Sequence, residues 1–190
     1  TTVISEGNFL ASGGITESRA YRLGWLNPYS AENTDANARA RLVIGPDALV
    51  RTAPASGDKL LLGNPSGVGE YEIIVNGGVC EKFAGNGNGT IYGNGYMEVN
   101  DGGHVDFAYH GAIDGELVVN DGNVLWAYEL NIGTMGGTGI VDMRKGGKID
   151  FRGLRLGYGG TDGNGTLKIG SGVEVVETGG GGVDHFIGRD

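Results

Sequence analysis

Cysteine and proline are both scarce in this sequence, and each scarcity excludes a class of structure. The 190 residues include one cysteine and four prolines. A lone Cys80 excludes an intrachain disulfide, and its strand-like setting, Val79-Cys80-Glu81, indicates a buried, unreactive thiol. So few prolines exclude a collagen helix, which combines them with a strict glycine period. No apolar run approaches the roughly 20 residues that cross a bilayer, so we expect no membrane insertion.

Basic residues are also few, with 14 Lys and Arg against 23 Asp and Glu and a formal net charge of −9. A negatively charged surface repels phosphate backbones and anionic lipid headgroups. We therefore expect no nucleic-acid partner, and the simplest reason for the acidic excess is solubility.

Motifs that carry catalysis are missing. The three histidines, His104, His110 and His185, form no zinc-binding spacing with one another or with the cysteine. No serine lies in a Gly-x-Ser-x-Gly turn. A Ser-His-Asp triad is recognised by geometry and not by spacing, so that alternative stays open, although no residue recommends it.

Two carboxylate patterns come closest to a site. Asp106 and Asp150 fall at matching strand positions about 10 Å apart, which would suit an inverting glycosidase pair, but outward, solvated carboxylates explain them more simply. The run 159–167 is similar to a calcium-binding nonapeptide, but it occurs once and Asp162 stands where that repeat has glycine. We predict no catalytic residue, no metal and no cofactor, and hence no enzyme.

Glycine is what the sequence has in abundance. Its 40 glycines are about three times the ordinary share of roughly 7%. Because 39% of the residues are hydrophobic and come in short alternating runs, the chain is not of the disordered type. This composition predicts many short strands joined by glycine turns.

A repeat organises these strands. An apolar-x-apolar step followed by a glycine turn recurs, and successive copies start 24, 20, 24 and 26 residues apart: Ile73–Val75, Met97–Val99, Leu117–Val119, Val141–Met143 and Leu167–Ile169. A second step follows each turn, as in Val105–Phe107, Val124–Trp126, Ile149–Phe151 and Val173–Val175. A third ends in glycine, as in Tyr21–Gly24, Leu60–Gly63, Leu130–Gly133, Leu154–Gly157 and His185–Gly188.

Three short strands per period predict an all-β parallel β-helix, or β-solenoid, of about five to seven coils. We expect residues 55–190 to form one continuous solenoid and residues 1–54 an irregular N-terminal coil, cap or assembly segment. Inward side chains should stack as a core ladder, formed by Val99, Val119, Met143 and Ile169, with an aromatic column of Phe107, Trp126 and Phe151. A sandwich of hairpins is the alternative, because Asn-Gly and Asp-Gly favour hairpin turns.

Two runs resemble the glycine-rich repeats of autotransporter passenger domains. One extends from Leu130-Asn131-Ile132-Gly133 through Met135-Gly136-Gly137-Thr138-Gly139-Ile140-Val141-Asp142-Met143, and the other from Leu154-Arg155-Leu156-Gly157 through Gly163-Asn164-Gly165-Thr166-Leu167-Lys168-Ile169. The resemblance covers about residues 60–190. It implies an exported, right-handed parallel β-helix on a bacterial surface or in its matrix. The start at Thr1-Thr2-Val3, without methionine, is typical of a chain whose export signal was removed. We therefore expect a secreted, extracellular or cell-surface protein.

Solenoid ends expose backbone groups and apolar faces that drive association unless they are covered. We expect a homo-oligomer or filament, a structural subunit of an extracellular fibre or surface layer joined head to tail. The predicted interface residues are Thr1, Thr2, Val3, Ile4, Phe9, Leu10, Phe186 and Ile187. One alternative is a monomeric adhesin that binds a surface glycan through tyrosines, the candidates being Tyr92, Tyr96, Tyr109, Tyr128 and Tyr158. Another is a β-helix polysaccharide lyase or glycosidase that uses Asp106 and Asp150.

Overall fold

The computed structural model describes residues 2–4, 6–18, 21–24, 32–52, 60–82, 89–107, 110–126, 128–134, 137–158, 162–178 and 186–187. Every regular element within these ranges is a β-strand. In chain order the strands are β1 (Thr2–Ile4), β2 (Gly7–Ser18), β3 (Tyr21–Leu23), β4 (Arg39–Thr52), β5 (Leu60–Leu62), β6 (Glu70–Asn76), β7 (Val79–Lys82), β8 (Gly89–Ile91), β9 (Gly95–Asn100), β10 (His104–Asp106), β11 (Gly111–Ile113), β12 (Glu116–Asn120), β13 (Asn123–Leu125), β14 (Glu129–Thr134), β15 (Thr138–Lys145), β16 (Lys148–Phe151), β17 (Gly153–Tyr158), β18 (Asn164–Ser171), β19 (Glu174–Glu177) and β20 (Phe186–Ile187).

All strand pairings recorded for these residues are parallel, and they form two sheets. One sheet has eight strands in the order β1-β3-β5-β8-β11-β14-β17-β20. The other has twelve, in the order β18-β15-β12-β9-β6-β4-β7-β10-β13-β16-β19, and β2 pairs with β4 beside it. The predictions of an all-β protein and of a solenoid-like parallel arrangement are confirmed, and the sheets curl into a half-barrel. A hairpin sandwich would need antiparallel neighbours.

The repeat period sets the register between neighbouring strands. Val99 pairs with Val119, Val119 with Met143, and Met143 with Ile169. The first three of these side chains are fully buried. Ile169 differs from the prediction, because its side chain is 55% exposed. It lies in β18, the outermost strand of its sheet, so no further strand covers it within the part of the chain that the structure describes.

The aromatic column is also buried, with Phe107, Trp126 and Phe151 at most 5% exposed. The rings of Phe107 and Trp126 are stacked, with centroids 4.5 Å apart and an interplanar angle of 7°. Parallel stacking follows from parallel strands, because equivalent side chains of adjacent strands lie one strand spacing apart, about 4.8 Å. The last copy of the second apolar step, Val173–Val175, is displaced by two residues from the predicted register, because Val175, and not Val173, pairs with Ile149.

Two long strands lie in the N-terminal segment. It contains the 12-residue β2 and the 14-residue β4. Strand β4 pairs along its first part with β6 and along its second part with β7, so one strand runs through both halves of the larger sheet. Residues 7–18 and 39–52 therefore continue the parallel stack.

A column of left-handed residues marks the corner after β6, β9, β12, β15 and β18. Its φ values lie between 54° and 74°, at Gly77, Asp101, Asp121, Gly146 and Gly172. Backbone hydrogen bonds link successive corners, since the Asp121 N–H donates to the Lys145 carbonyl at 2.7 Å. The stack thus continues through this turn as well as through the strands.

Buried asparagines connect the segments that follow β3, β5 and β8. Asn64 is 1% exposed, and its amide donates to the carbonyls of Gly24 at 3.1 Å and Asn33 at 3.0 Å. Its own N–H donates to Oδ1 of Asn94 at 3.0 Å. Because a buried amide is costly unless it is hydrogen-bonded, these contacts hold the loop before β6 in one conformation.

A search of the described residues for a helix long and apolar enough to cross a membrane finds none.

Candidate assembly edges

The first candidate site is the free edge of β2. This strand pairs with β4 on one side, and no described strand pairs with its other side. Three large apolar side chains are exposed along it: Phe9 by 39%, Leu10 by 67% and Ile15 by 66%. Exposed apolar side chains on an unpaired strand are the usual mark of an edge that another strand can join.

The second candidate site is formed by β18 and β19. These are the first and the last strand in the order of the larger sheet, and β4, the partner of β2, lies between them in that order. Ile169 is 55% and Val175 is 38% exposed. Leu167 is half-buried and packs against the core. Among the described residues, neither strand has a neighbour on its outer side.

The two edges lie at opposite ends of the same side-chain ladders. One ladder begins at Phe9 of β2 and reaches Leu167 of β18; it runs through Leu42, Ile73, Met97, Leu117 and Val141. A second runs from Ala11 to Ile169 through the same strands. Each ladder is buried in the middle, and one of its ends is exposed. The side chains at the β2 end and at the β18 end are therefore apolar and of the same kind as those that already pack against each other inside the ladder.

Some of the predicted interface residues lie away from the exposed edge or outside the description. Ile4 is partly buried and packs against the core, and Thr2 is half-buried. Phe186 and Ile187 form β20 at the end of the smaller sheet, but only their backbone is described. Thr1 and the side chain of Val3 lie outside the described residues. Ile15 belongs to the edge and was missed, because it lies outside the predicted repeat.

The carboxylate pair is placed as the sequence predicted but without catalytic surroundings. Asp106 pairs with Leu125, and Leu125 with Asp150, so the two acids lie two strands apart. Asp150 forms an ion pair with Lys148 at 3.0 Å. The hydrogen bond to Asp150 raises the pKa of the Lys148 ammonium, which keeps that partner charged. The described residues contain no group of three or more metal-ligating side chains.

A buried carboxylate occupies the outer side of the smaller sheet. Glu129 is 9% exposed, and Arg155 approaches its Oε1 at 2.7 Å while His110 Nδ1 approaches its Oε2 at 3.2 Å. Tyr128 packs edge-on against the His110 ring with centroids 4.8 Å apart. Both carboxylate oxygens are engaged by these side chains, so the cluster is a structural network built around the Arg155–Glu129 ion pair. His185 lies outside the described residues.

The tyrosines proposed for glycan binding do not form one platform. The Arg155 guanidinium lies 4.5 Å from the ring centroid of Tyr158, and that of Arg152 lies 5.7 Å from Tyr128. Tyr96 lies apart from them, on β9 of the larger sheet, and Tyr109 is not described. Cys80 is buried as predicted, and burial raises the pKa of its thiol to about 12.

No family model, curated protein or solved structure matches the chain. The resemblance to passenger repeats therefore stays a prediction from the sequence.

Proposed function

We propose that this protein is a structural subunit of an extracellular fibre or surface layer, and that its two sheets are faces of a parallel β-helix whose windings continue from one copy into the next. The observation that carries the proposal is the pair of exposed apolar edges at the two ends of shared ladders, with Phe9 exposed at the start of one ladder on β2 and Ile169 exposed at the end of the other on β18. A surface location and export rest on the resemblance of the repeats alone.

Edge-to-edge contact is heterologous, because the β2 edge of one copy meets the β18 and β19 edge of another. A heterologous contact that does not close into a ring produces a filament. The side chains fit this direction of stacking: Leu167 would continue the ladder at Phe9 of the next copy, and Ile169 would continue it at Ala11. Burial of each large apolar side chain contributes roughly 1.5–3 kcal/mol.

Negative-stain electron microscopy and sedimentation of the purified chain at increasing concentration test this proposal. We expect filaments or a mass that grows with concentration. The Ile169→Lys variant should remain monomeric, because it puts a charge on the exposed end of the ladder. Thr138→Lys is the matched control: it puts the same charge on an exposed position of β15, inside the sheet, and should assemble normally.

A monomer at every concentration would overturn the proposal, and so would an Ile169→Lys variant that assembles as the parent does. Catalytic function is not part of the proposal. If Asp106 and Asp150 formed a polysaccharide-cleaving pair, the parent protein would cleave acidic or neutral glycans and the Asp150→Asn variant would not.

A further inference from the structure

A long groove crosses the outer side of the larger sheet. It consists of two adjoining cavities of about 400 and 290 Å³, which share Glu70 and Glu72 as lining residues. The larger cavity continues past Tyr96 and Glu116 to Thr138. The smaller one extends the other way to Asn8.

The groove runs across the strands, along the direction in which the windings stack. Its central column consists of register partners on five adjacent strands, from β2 to β12: Asn8, Arg41, Glu72, Tyr96 and Glu116. With about 4.8 Å between strands, the column is roughly 19 Å long. A groove of this length along one column of residues suits an extended chain better than a compact ligand.

Paired charges line one half of the groove. Arg39 lies 2.8 Å from Glu70, and Arg41 lies 3.2 Å from Glu72. Each guanidinium and carboxylate keeps further donors and acceptors beyond this contact, since a guanidinium has five N–H groups and a carboxylate about four lone-pair positions. These groups can bond hydroxyls, and because the charges cancel in pairs they select no strongly charged ligand.

An aromatic ring and a carboxylate define the other half. Burial, together with the charge of Glu98 and a hydrogen bond to it, raises the pKa of the Tyr96 phenol to about 12, so the phenol stays neutral near neutral pH. Its ring is half-buried beside Gly95, and Gly93 and Gly115 add no side chains to the wall. A flat ring beside open backbone offers an apolar surface to a sugar face, and Glu116 offers acceptors to its hydroxyls.

We infer that this groove binds an extended, uncharged β-1,4-linked polysaccharide chain, oriented along the stacking direction. Hydroxyls would contact the column of polar side chains, and one ring would pack on Tyr96. The repeat of the column, one strand spacing, is close to the advance per ring of an extended β-1,4-linked glucan. An acidic chain would meet the carboxylate of Glu116 and would find no net positive charge in the half where Arg39 and Arg41 are paired with Glu70 and Glu72. A helical α-1,4-linked chain would not follow a groove that runs along one column of register partners. The inference does not depend on assembly.

Calorimetric titration with cellohexaose tests the inference, using the Ile169→Lys variant so that assembly does not compete. We expect binding that weakens for cellotriose, which spans less of the groove, and for maltohexaose. Tyr96→Ala should raise Kd at least about tenfold, because an aromatic anchor commonly carries this much of the affinity. Tyr158→Ala removes a tyrosine from the other sheet and should leave Kd unchanged.

Glu116→Gln keeps the shape of the groove and should raise Kd by a smaller factor, so it serves as the second test if Tyr96→Ala fails to fold. Failure of both cellohexaose and its N-acetylated counterpart, chitohexaose, to bind would overturn the inference. Equal Kd values for parent and Tyr96→Ala, or preferential binding of polygalacturonate or a lysine-rich peptide, would overturn it as well.

Discussion

At the scale of single residues, glycines in the core leave the space that aromatic rings occupy. A Cβ on Gly89 would overlap the Phe107 ring, and one on Gly111 would overlap Nε1 of Trp126. Both glycines have ordinary φ values, so the reason for glycine here is space and not backbone conformation. The two rings that stack on each other are thus accommodated by two glycines that are register partners in the facing sheet.

Gly111→Ala is therefore expected to destabilise the protein. A methyl group at this position forces the Trp126 indole or its strand to move, and overpacking of this kind costs about 1–3 kcal/mol. Gly93→Ala is the control, since its added Cβ would lie 3.5 Å from the nearest atom and its φ is ordinary. Urea unfolding of both variants measures the difference. Equal urea midpoints for Gly111→Ala and Gly93→Ala would show that the Trp126 indole is not closely packed against Gly111.

At the scale of the element, the corners matter as much as the strands. The corner column places aspartate at two positions with left-handed φ, Asp101 at 54° and Asp121 at 61°. Aspartate tolerates this region better than other non-glycine residues, because its short side chain can hydrogen-bond locally. Five successive corners share the conformation, so a residue that resists it disturbs the stack on both sides.

Asp121→Val should lower the free energy of unfolding by about 1–2 kcal/mol, because a β-branched residue is strained at this φ. Asp121→Gly should leave it nearly unchanged, since the relief of strain offsets the added flexibility of the unfolded chain. Asn123→Val, at an exposed position with ordinary φ two residues later, is the control and should change stability by less than about 0.5 kcal/mol. Chemical denaturation of the three variants checks the order, and a stable Asp121→Val protein would contradict it.

Sequence reasoning succeeded for elements where the repeat is marked by glycine. The step Val99, Val119, Met143 gave the register correctly, because each copy is followed by the same turn. The repeat is looser at β4, where Ile44-Gly45 is followed by Pro46 and the strand continues to Thr52. Leu42 and Ile44 nevertheless occupy the same ladders as their later counterparts.

At the scale of the whole molecule, stability is a sum over neighbouring strands of the two parallel sheets. In a stacked architecture each unit contacts only its neighbours, so the outer units are held on one side and the inner units on both. Strand β12 lies between β9 and β15, whereas β18 has one described partner. Ile169 is exposed in β18 while its counterpart Val119 in β12 is fully buried.

Hydrogen exchange in dilute, unassembled protein should follow this gradient. We expect the amides of β9 and β12 to exchange at least tenfold more slowly than those of β2 and β18, because edge strands open without breaking the centre. Mass spectrometry of peptic fragments resolves these strands. Uniform protection from β2 to β18 would mean that the molecule opens only as a whole.

The candidate sites were harder to predict than the fold. Alternation shows that Glu72, Tyr96 and Glu116 face outward, but it does not show that they are neighbours, because they are separated by 24 and 20 residues. Only the register brings them into one column. Likewise, Ile169 has the same sequence surroundings as buried members of its ladder, and its exposure follows from position in the sheet and not from local pattern.

The buried cysteine makes local opening of the protein measurable. Cys80 lies in β7 among the inward side chains, 3% exposed, and its thiol is held protonated. Alkylating reagents attack the thiolate, so the folded state is shielded both by lack of access and by lack of the reactive form. When the strands around β7 open, Cys80 becomes accessible and its thiol can ionise. The rate at which a reagent such as iodoacetamide labels the chain therefore measures how often that opening occurs.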